Sequence, residues 1–326
     1  MRALVIGRTD GPAALELQDV PEPEPEEGFV LLDVEAAGVS FPDLLLTRGE
    51  YQLKPDLPFT PGVECAGTIR WAPEGSGFEP GDRAMAITMT GAFAEVLKAP
   101  AATCFPVPDG LSFEQAAGFL MNHHTAHFAL DRRGRLTEGE TLLVHGAAGG
   151  VGSAAIQVGK GIGARVIAVV SSDEKAAVAR EAGADEVIDS GGDWVAEAKE
   201  LTEGRGVDCV FDPVGGERLT ASPRCMAPEG RLLVIGFAEG TIPEIAANRV
   251  LLRNIDIVGV NWGGFIAQDF TLPAKTHKAL AAMIESGAVD PLVGRSYPLS
   301  EAGQALIDLD ERRATGKLVL TIAGTS

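Results

Sequence analysis

Apolar and polar positions follow two different rhythms along this chain. Up to about Pro108 the apolar runs are short, and turn-forming Gly and Pro residues interrupt them repeatedly. That pattern is typical of a compact, barrel-like β domain. The strands predicted there span 2–6, 15–19, 29–35, 64–71 and 94–99, and one short helix spans 40–47.

From Thr141 onward, strand-like apolar runs alternate with helical stretches. The predicted strands span 141–145, 165–170, 186–189, 207–212, 231–236 and 255–260. Six strands alternating with helices predict a doubly wound parallel sheet, whose ligand lies beyond the carboxyl ends of the strands. A helix over 272–285 and a final strand over 317–322 follow, and we expect this tail to complete the first domain.

The stretch from Thr141 to Lys160 predicts a strand, a glycine turn and a helix. Such a turn lets the backbone approach a pyrophosphate, and the helix start stabilises its charge. In the fingerprint G-x-G-x-x-G the three positions would be 147, 149 and 152, and the first of them is Ala147. The spacing to the next strand favours a dinucleotide site, although a glycine-rich turn of another α/β protein remains the alternative.

Composition narrows the class of protein. The 326 residues are 45% apolar and 22% charged, and the net charge is −19, which argues against a nucleic-acid-binding surface. No apolar run is long enough for a signal peptide or a membrane span, so we expect a cytoplasmic protein. The four cysteines are far apart in sequence and indicate neither a disulfide framework nor a cysteine-rich zinc lobe.

Several stretches in order along nearly the whole chain resemble the medium-chain dehydrogenase/reductase superfamily, and within it the zinc-free quinone oxidoreductases related to zeta-crystallin. They are Ala37-Gly-Val-Ser-Phe-Pro-Asp43, Arg48-Gly-Glu-Tyr51, Leu57-Pro-Phe-Thr-Pro-Gly-Val-Glu-Cys-Ala-Gly67, Gly81-Asp-Arg83, Thr125-Ala, His145-Gly-Ala-Ala-Gly-Gly-Val-Gly152, Asp212-Pro-Val-Gly-Gly216 and Arg313-Ala-Thr-Gly-Lys317. The resemblance implies a GroES-like β-barrel catalytic domain over 1–124 and 264–326 and a Rossmann NADP-binding domain over 125–263. It also implies a cofactor held in the cleft between the two domains.

The same resemblance predicts that no metal is bound. In zinc alcohol dehydrogenases of this superfamily, a Cys and a His ligand stand where this chain has Ser40 and Val63. A neutral hydroxyl is a poor substitute for thiolate, valine has no donor atom, and Glu64 alone cannot hold zinc. The cluster His123-His124-x-x-His127 could place two histidines on one helix face. We favour ordinary polar or partly buried histidines over a metal site, with a place along the substrate pocket as a further possibility.

The cofactor is expected to be NADPH rather than NADH. The second Rossmann strand ends in Ser171-Ser172, which leaves room for a 2′-phosphate, and Lys175 can supply a counter-charge. The resemblance adds Arg313 near the C-terminus, whereas a tyrosine of some relatives is replaced by Ser190. Lys175 as a solvated helix residue is the alternative. The other cofactor-binding residues expected from the resemblance are Thr125, Ala148, Gly149, Gly150, Val151, Gly236, Phe237, Asn261 and Lys317.

A site without a Lewis acid suits substrates that accept hydride readily, such as quinones and other conjugated carbonyl compounds. The candidate catalytic residues are Tyr51, Ser40 and Asp43. Tyr51 is as well explained by packing in the barrel as by proton donation, and Ser40 departs from the Asn of many relatives. Two alternatives stay open: a reductase of enone, enal or enoyl-thioester double bonds, and a dinucleotide-binding sensor or structural protein with little turnover.

Assembly into a two-fold dimer is expected. Asn254–Val260 should form the last strand of the nucleotide-binding sheet. Most of its side chains are apolar, and Asp256 is the only charged residue among them. An open edge of this kind invites pairing with a second copy. A monomer whose edge is covered by the C-terminal tail is the alternative.

Overall fold

The computed structural model describes residues 1–322, and their strands fall close to the predicted ones. The strands are β1 (Arg2–Ile6), β2 (Leu15–Asp19), β3 (Phe29–Val39), β4 (Glu64–Trp71), β5 (Arg83–Ile87), β6 (Val96–Pro100), β7 (Cys104–Pro106), β8 (Thr141–His145), β9 (Arg165–Val170), β10 (Glu186–Asp189), β11 (Val207–Asp212), β12 (Met226–Val234), β13 (Asp256–Gly259), β14 (Val293–Pro298) and β15 (Lys317–Thr321).

Eleven α-helices of various lengths connect these strands within residues 1–322. They are α1 (Phe41–Thr47), α2 (Phe113–Ala117), α3 (Leu120–His127), α4 (Gly150–Ile162), α5 (Asp173–Glu181), α6 (Trp194–Leu201), α7 (Gly216–Ala221), α8 (Ala247–Arg253), α9 (Trp262–Ile266), α10 (Leu272–Glu285) and α11 (Ala302–Asp310). Ser112 and Gln115 form a capping box at the start of α2, and Ser172 caps α5. None of the helices in residues 1–322 is long and apolar enough to cross a membrane.

The chain divides into two compact units. The first consists of Met1–Met121 together with the chain from Pro291 onward, and the second is Asn122–Asp290. The domain boundaries expected from the sequence are 124/125 and 263/264, whereas the units divide after Met121 and after Asp290, so the second boundary differs most. The difference lies in α10, because its His277 ring is 5.7 Å from that of His124 and its Met283 side chain packs beside Gly161 of α4.

The first unit is built on one seven-stranded sheet. Its strand order is β14-β15-β3-β4-β5-β7, with β6 also paired to β3, while β1 and β2 form a separate antiparallel pair. The returning strand β15 pairs antiparallel with β3, so the C-terminal segment completes this sheet as expected. Alternate side chains enter a core that includes Leu32, Ile69, Phe93 and Leu320.

The second unit confirms the predicted doubly wound parallel sheet. Its strand order is β10-β9-β8-β11-β12-β13, and every neighbouring pair is parallel. Counted from β8, this is the order 3-2-1-4-5-6 of dinucleotide-binding sheets, with the switch point between β8 and β11. The prediction that 254–260 contains an edge strand is confirmed, since β13 pairs only with β12 on this path.

Three strands were missed in the sequence, for local reasons. β5 follows directly on the turn at Pro80-Gly-Asp82, β7 is three residues long, and β14 exposes the polar stretch around Arg295. β12 begins at Met226 rather than at the predicted residue 231, and its pairing with β11 contains an irregularity near Pro228-Glu-Gly230. Short or polar strands carry too little alternation to be found from apolar pattern alone.

Candidate functional site

The glycine turn after β8 leads into the start of α4. Gly146 adopts a left-handed backbone with φ of 57°, and the Gly149 N–H donates to the Gly146 carbonyl oxygen at 3.0 Å. Gly149 is the N-cap residue of α4 and has no side chain that could cap the first N–H groups. The helix start is therefore suited to an anion, which would meet backbone N–H groups and the positive end of the helix dipole.

The glycines of this turn serve different purposes. A Cβ on Gly152 would lie 2.2 Å from the Gly146 carbonyl oxygen, and one on Gly150 would lie 2.5 Å from Nδ2 of Asn122. A Cβ on Gly149 meets nothing of the chain closer than 3.4 Å. Gly152 and Gly150 are thus required by packing within the protein, whereas Gly149 keeps a space open outside the backbone. The turn fits the pyrophosphate of a dinucleotide.

Most of the predicted cofactor-binding residues share one edge of the parallel sheet. Ala148–Val151 follow β8, Ser171–Lys175 follow β9, Gly236 and Phe237 follow β12, and Asn261 follows β13. Parallel strands bring their carboxyl ends to the same edge, so the structure brings these four segments together. Asn261 also has a local structural use, because its Oδ1 accepts the Gly264 N–H at 2.9 Å and caps α9.

Ser171, Ser172 and Lys175 form a hydroxyl-rich corner after β9. The Lys175 ammonium donates to the Ser171 hydroxyl at 3.4 Å. The Ser172 hydroxyl accepts the Lys175 N–H at 3.3 Å, which caps α5. Both serines are exposed, and a lysine positioned beside an uncharged hydroxyl can bind a phosphate as a point charge.

A buried carboxylate that the sequence analysis did not single out lies at the end of β11. Asp212 Oδ1 accepts the N–H groups of Val214 and Gly215 at 2.7 and 2.9 Å, while Oδ2 has no hydrogen-bond partner within residues 1–322. Burial raises the pKa of Asp212 to about 6, against the opposing effect of the two N–H groups. This residue fixes the loop at the carboxyl end of β11.

In the first unit, the candidate residues Ser40 and Lys317 meet around Glu64. The Lys317 ammonium donates to Glu64 Oε1 at 2.5 Å and to Ser40 Oγ at 2.7 Å, and the Ser40 hydroxyl lies 3.0 Å from the same Glu64 oxygen. Glu64 is completely buried, and its Oε2 accepts the Met121 N–H at 2.8 Å. We call Ser40, Glu64 and Lys317 the lysine cluster.

Two glycines make room for the lysine cluster. A Cβ on Gly118 would lie 2.6 Å from Lys317 Cγ, and one on Gly38 would lie 2.9 Å from both Lys317 Cε and Glu64 Oε1. The stem of Lys317 therefore runs against bare backbone at both positions. The sequence places glycine at 38 and 118 because a side chain there would expel the lysine.

Asp43 and Tyr51 lie beside this cluster. Asp43 is fully buried, and its Oδ2 accepts the Ser40 N–H at 2.9 Å as part of the capping box of α1. Burial raises the pKa of Asp43 to about 7, with the Ser40 N–H and the Lys317 charge acting in the opposite direction. Burial and the neighbouring charge of Asp43 raise the pKa of Tyr51, so its phenol stays protonated at neutral pH.

Arg313 and Thr125 have less distinctive surroundings. Arg313 forms ion pairs with Asp308 and Glu311 at 2.7 Å each, and its side chain is 53% exposed. Two carboxylates of its own unit thus already neutralise the guanidinium that the resemblance assigned to the cofactor. Thr125 lies half-buried in the middle of α3.

Four of the five histidines are buried in the second unit, and His127 is half-buried. His123 and His124 are buried, and the His124 ring packs 5.4 Å from that of Trp262. Burial lowers the pKa of His124 and lowers that of His145 to about 3, so both rings are neutral at physiological pH. Within residues 1–322, no group of three His, Cys, Asp or Glu residues is arranged to hold a metal ion.

From the sequence alone, Glu64 is only an insufficient zinc ligand and Lys317 only an expected cofactor contact. Their pairing is missed at that level, because it joins residues 253 positions apart. The glycines at 38 and 118 and the lone acid between Val63 and Cys65 are sequence signals of a buried charge, but they do not identify its partner.

Comparison with known proteins gives matches over the whole chain. Residues 26–109 match the alcohol dehydrogenase GroES-like domain, and residues 150–281 match the zinc-binding dehydrogenase model. Quinone oxidoreductase-like protein 2 of Mus musculus is 36% identical over 94% of this chain and 89% of its own length.

Two solved structures extend the match to the fold. A probable oxidoreductase from Mycobacterium abscessus is 42% identical with a TM-score of 0.91, over 98% of each chain. The quinone oxidoreductase of Thermus thermophilus, solved alone and in complex with NADPH, is 36% identical with a TM-score of 0.85 over 98% of this chain and 100% of its own. With a GroES-like first unit and a Rossmann second unit, the chain belongs to the quinone oxidoreductase family of the medium-chain dehydrogenase/reductase superfamily.

Proposed function

We propose that this protein is an NADPH-dependent reductase of quinones or other conjugated carbonyl compounds and that it works without zinc. The observation that carries the proposal is the lysine cluster, in which an ammonium group fills the space between Ser40 and Glu64. The remaining support comes from the phosphate-binding turn at Gly149 and from the family.

The donor set of the first unit argues against a zinc ion. Val63, at the position of the superfamily's histidine ligand, is buried and has no donor atom. The Glu64 carboxylate is occupied by Lys317, Ser40 and the Met121 N–H. A divalent cation there would have to displace an ammonium ion from its carboxylate partner, and no thiolate or imidazole would take its place.

NADPH is supported by the chemistry of the second unit. The start of α4 suits the pyrophosphate, and the corner of Ser171 and Lys175 suits an additional phosphate on the adenosine ribose. The solved quinone oxidoreductase of Thermus thermophilus binds the same cofactor. In this chain, Ala148–Val151 would hold the pyrophosphate, and Gly236, Phe237 and Asn261 would lie at the strand ends that flank it.

NADPH supplies a hydride ion when it is bound. The protein's own residues donate hydrogen bonds, hold protons and compensate charge. We assign Tyr51 as the hydrogen-bond donor to the substrate oxygen, because it is a half-buried phenol beside Asp43 and it is protonated at neutral pH. Asp43, whose pKa is raised to about 7, can hold a proton beside it at neutral pH. Lys317 keeps the charge of Glu64 compensated, so the buried carboxylate does not repel developing negative charge.

A panel of substrates run with both cofactors tests the proposal. Quinones, enones and enals should be offered with NADPH and with NADH, and the products identified by mass spectrometry. We expect NADPH-dependent reduction of quinones or conjugated carbonyls by protein whose zinc content by elemental analysis is far below one ion per chain. Reduction at carbon–carbon double bonds alone would favour the enone reductase. Tight NADPH binding without turnover of any panel member would favour the sensor, and stoichiometric zinc whose removal abolishes activity would contradict the proposal.

Assembly into a homodimer in the cytoplasm is part of the proposal. The edge strand β13 exposes 37% of Ile257, and the neighbouring α8 exposes Leu251 and Leu252. One carbonyl of this edge is already used, because Arg133 Nε donates to the Gly259 oxygen at 3.1 Å. Pairing with a second copy would therefore use the Asp256–Val258 part of the strand. Cys65, Cys104, Cys209 and Cys225 are free thiols, as a reducing compartment favours.

A further inference from the structure

We infer that Arg218 of α7, together with Lys175, recognises the 2′-phosphate of the cofactor and so helps to set the preference for NADPH. The inference rests on the proposed function.

Arg218 reaches across the carboxyl edge of the sheet to the end of β10. Its Nη2 donates to the Ser190 hydroxyl at 3.1 Å. The Ser190 N–H in turn donates to the Val170 carbonyl oxygen at 2.7 Å, which ties residue 190 to the last residue of β9. The guanidinium thus lies at the strand end that is followed by Ser171 and Lys175, on the same edge as the glycine turn.

The charge of Arg218 is not neutralised by an ion pair. Among residues 1–322, no carboxylate oxygen lies within 4.0 Å of its guanidinium, whereas Arg205, Arg231 and Arg313 all have such partners. Its side chain is half-buried and makes one hydrogen bond to a neutral hydroxyl. A half-buried guanidinium has five N–H donors, so most of its hydrogen-bonding capacity is available to an anion.

The short side chain at 190 makes this arrangement possible. A serine leaves the space beside its Oγ open, and the Arg218 guanidinium enters that space. Three hydroxyls, those of Ser171, Ser172 and Ser190, then lie with two cations at the ends of β9 and β10. Lys175 and Arg218 together suit a phosphate dianion, because two cations can neutralise its charge and a guanidinium can bind two phosphate oxygens at once.

The test compares adenosine 2′,5′-bisphosphate with adenosine 5′-monophosphate, which differ only in the 2′-phosphate and carry no nicotinamide. Dissociation constants are measured by calorimetry with the full chain at fixed ionic strength. We expect the wild-type protein to prefer the bisphosphate and Arg218→Gln to lose about 10- to 100-fold of that preference. Affinity for the monophosphate should stay within about twofold. Arg218→Lys should retain part of the preference, and Arg218→Gln with Lys175→Ala should lose most of it.

Arg224→Gln is the matched control. Arg224 is an exposed arginine two residues before β12 begins, at the amino end of the strands, so its removal changes the net charge equally. The inference is overturned if Arg218→Gln keeps the wild-type preference, or if it weakens both ligands equally through a change in the loop. A wild-type protein with no preference for the bisphosphate would instead contradict the proposed NADPH dependence itself, which separates the two failures.

Discussion

At the scale of single residues, the unusual feature of this chain is a set of ionisable groups kept inside the first unit. Glu64 is fully buried and Lys317 is 6% exposed, so their charges interact without much screening by water. Asp43 adds a third ionisable group, close enough to Lys317 and Glu64 to interact with their charges. Buried charges of this kind cost free energy unless they are paired, and here the pairing residue comes from the far end of the chain.

Lys317→Met should destabilise the fold by about 3–5 kcal/mol, because it leaves the Glu64 carboxylate buried without its cation. Urea denaturation measures the change. Lys54→Met, at an exposed position of the same unit, is the control and should change stability by no more than about 0.5 kcal/mol. Glu64→Gln combined with Lys317→Met should recover part of the loss. Equal stability of the two lysine variants would show that the pair is not energetically coupled.

Asp43 should make stability fall as the pH rises. Its pKa in the folded protein is about 7, above the ordinary value of 3.8, so the folded chain holds a proton that the unfolded chain releases. The contribution of Asp43 to the free energy of unfolding is therefore fully present below about pH 4. It is lost as the pH rises from about 4 to about 7. Relative to Asp43→Asn, which cannot ionise, wild-type protein should lose at most about 4 kcal/mol across this window. Urea denaturation of both proteins from about pH 4.5 to 8.5 gives the difference, and parallel curves would contradict the raised pKa.

At the scale of elements, much of the fold could be predicted because its signals are local. β1, β2, β4, β8 and β9 have the predicted bounds, as does α10. The glycine turn before α4 could be found for the same reason, since glycine spacing and helix start are adjacent in sequence. The contacts of Lys317 with Glu64 and of Arg218 with Ser190 could not be predicted. Each depends on two elements that only the folded chain brings together.

Gly149→Val should abolish binding of the dinucleotide and leave the protein folded. The space beside Gly149 is free of protein atoms within 3.4 Å, so a side chain there meets the ligand rather than the chain. Gly152→Val, in contrast, should destabilise the fold, because its Cβ would lie 2.2 Å from the Gly146 carbonyl oxygen. Calorimetric titration with NADPH and thermal unfolding separate the two effects. Gly7→Val, at an exposed position with no neighbour within 4 Å, is the control. Unchanged NADPH affinity in Gly149→Val would show that the pyrophosphate does not bind at this turn.

At the scale of the whole molecule, association depends on the edge of the parallel sheet at β13. The net charge of −19 opposes association, while the apolar side chains of β13 and α8 favour it. The C-terminal strand β15 pairs with β3 and β14 in the first unit. That strand is therefore not the cover that the monomer alternative required.

Ile257→Lys should convert the proposed dimer into a monomer, because it places a charge on the exposed edge strand. Sedimentation at micromolar concentration should give twice the chain mass of 33.9 kDa for wild-type protein and the single chain mass for the variant. Leu17→Lys is the matched control, since Leu17 is 42% exposed on β2 of the first unit. A monomeric wild-type protein would contradict the proposed dimer. A dimer that survives Ile257→Lys would show that the interface lies elsewhere on the protein.

The lysine cluster has a consequence for the order in which the chain is completed during synthesis. Glu64 leaves the ribosome 253 residues before its ammonium partner does. The second unit, a continuous segment ending at Asp290, can close its sheet while the first still lacks both β14 and β15. Nascent chains generally fold in the order of their synthesis. Here we expect the reverse, with the unit that begins first finishing last.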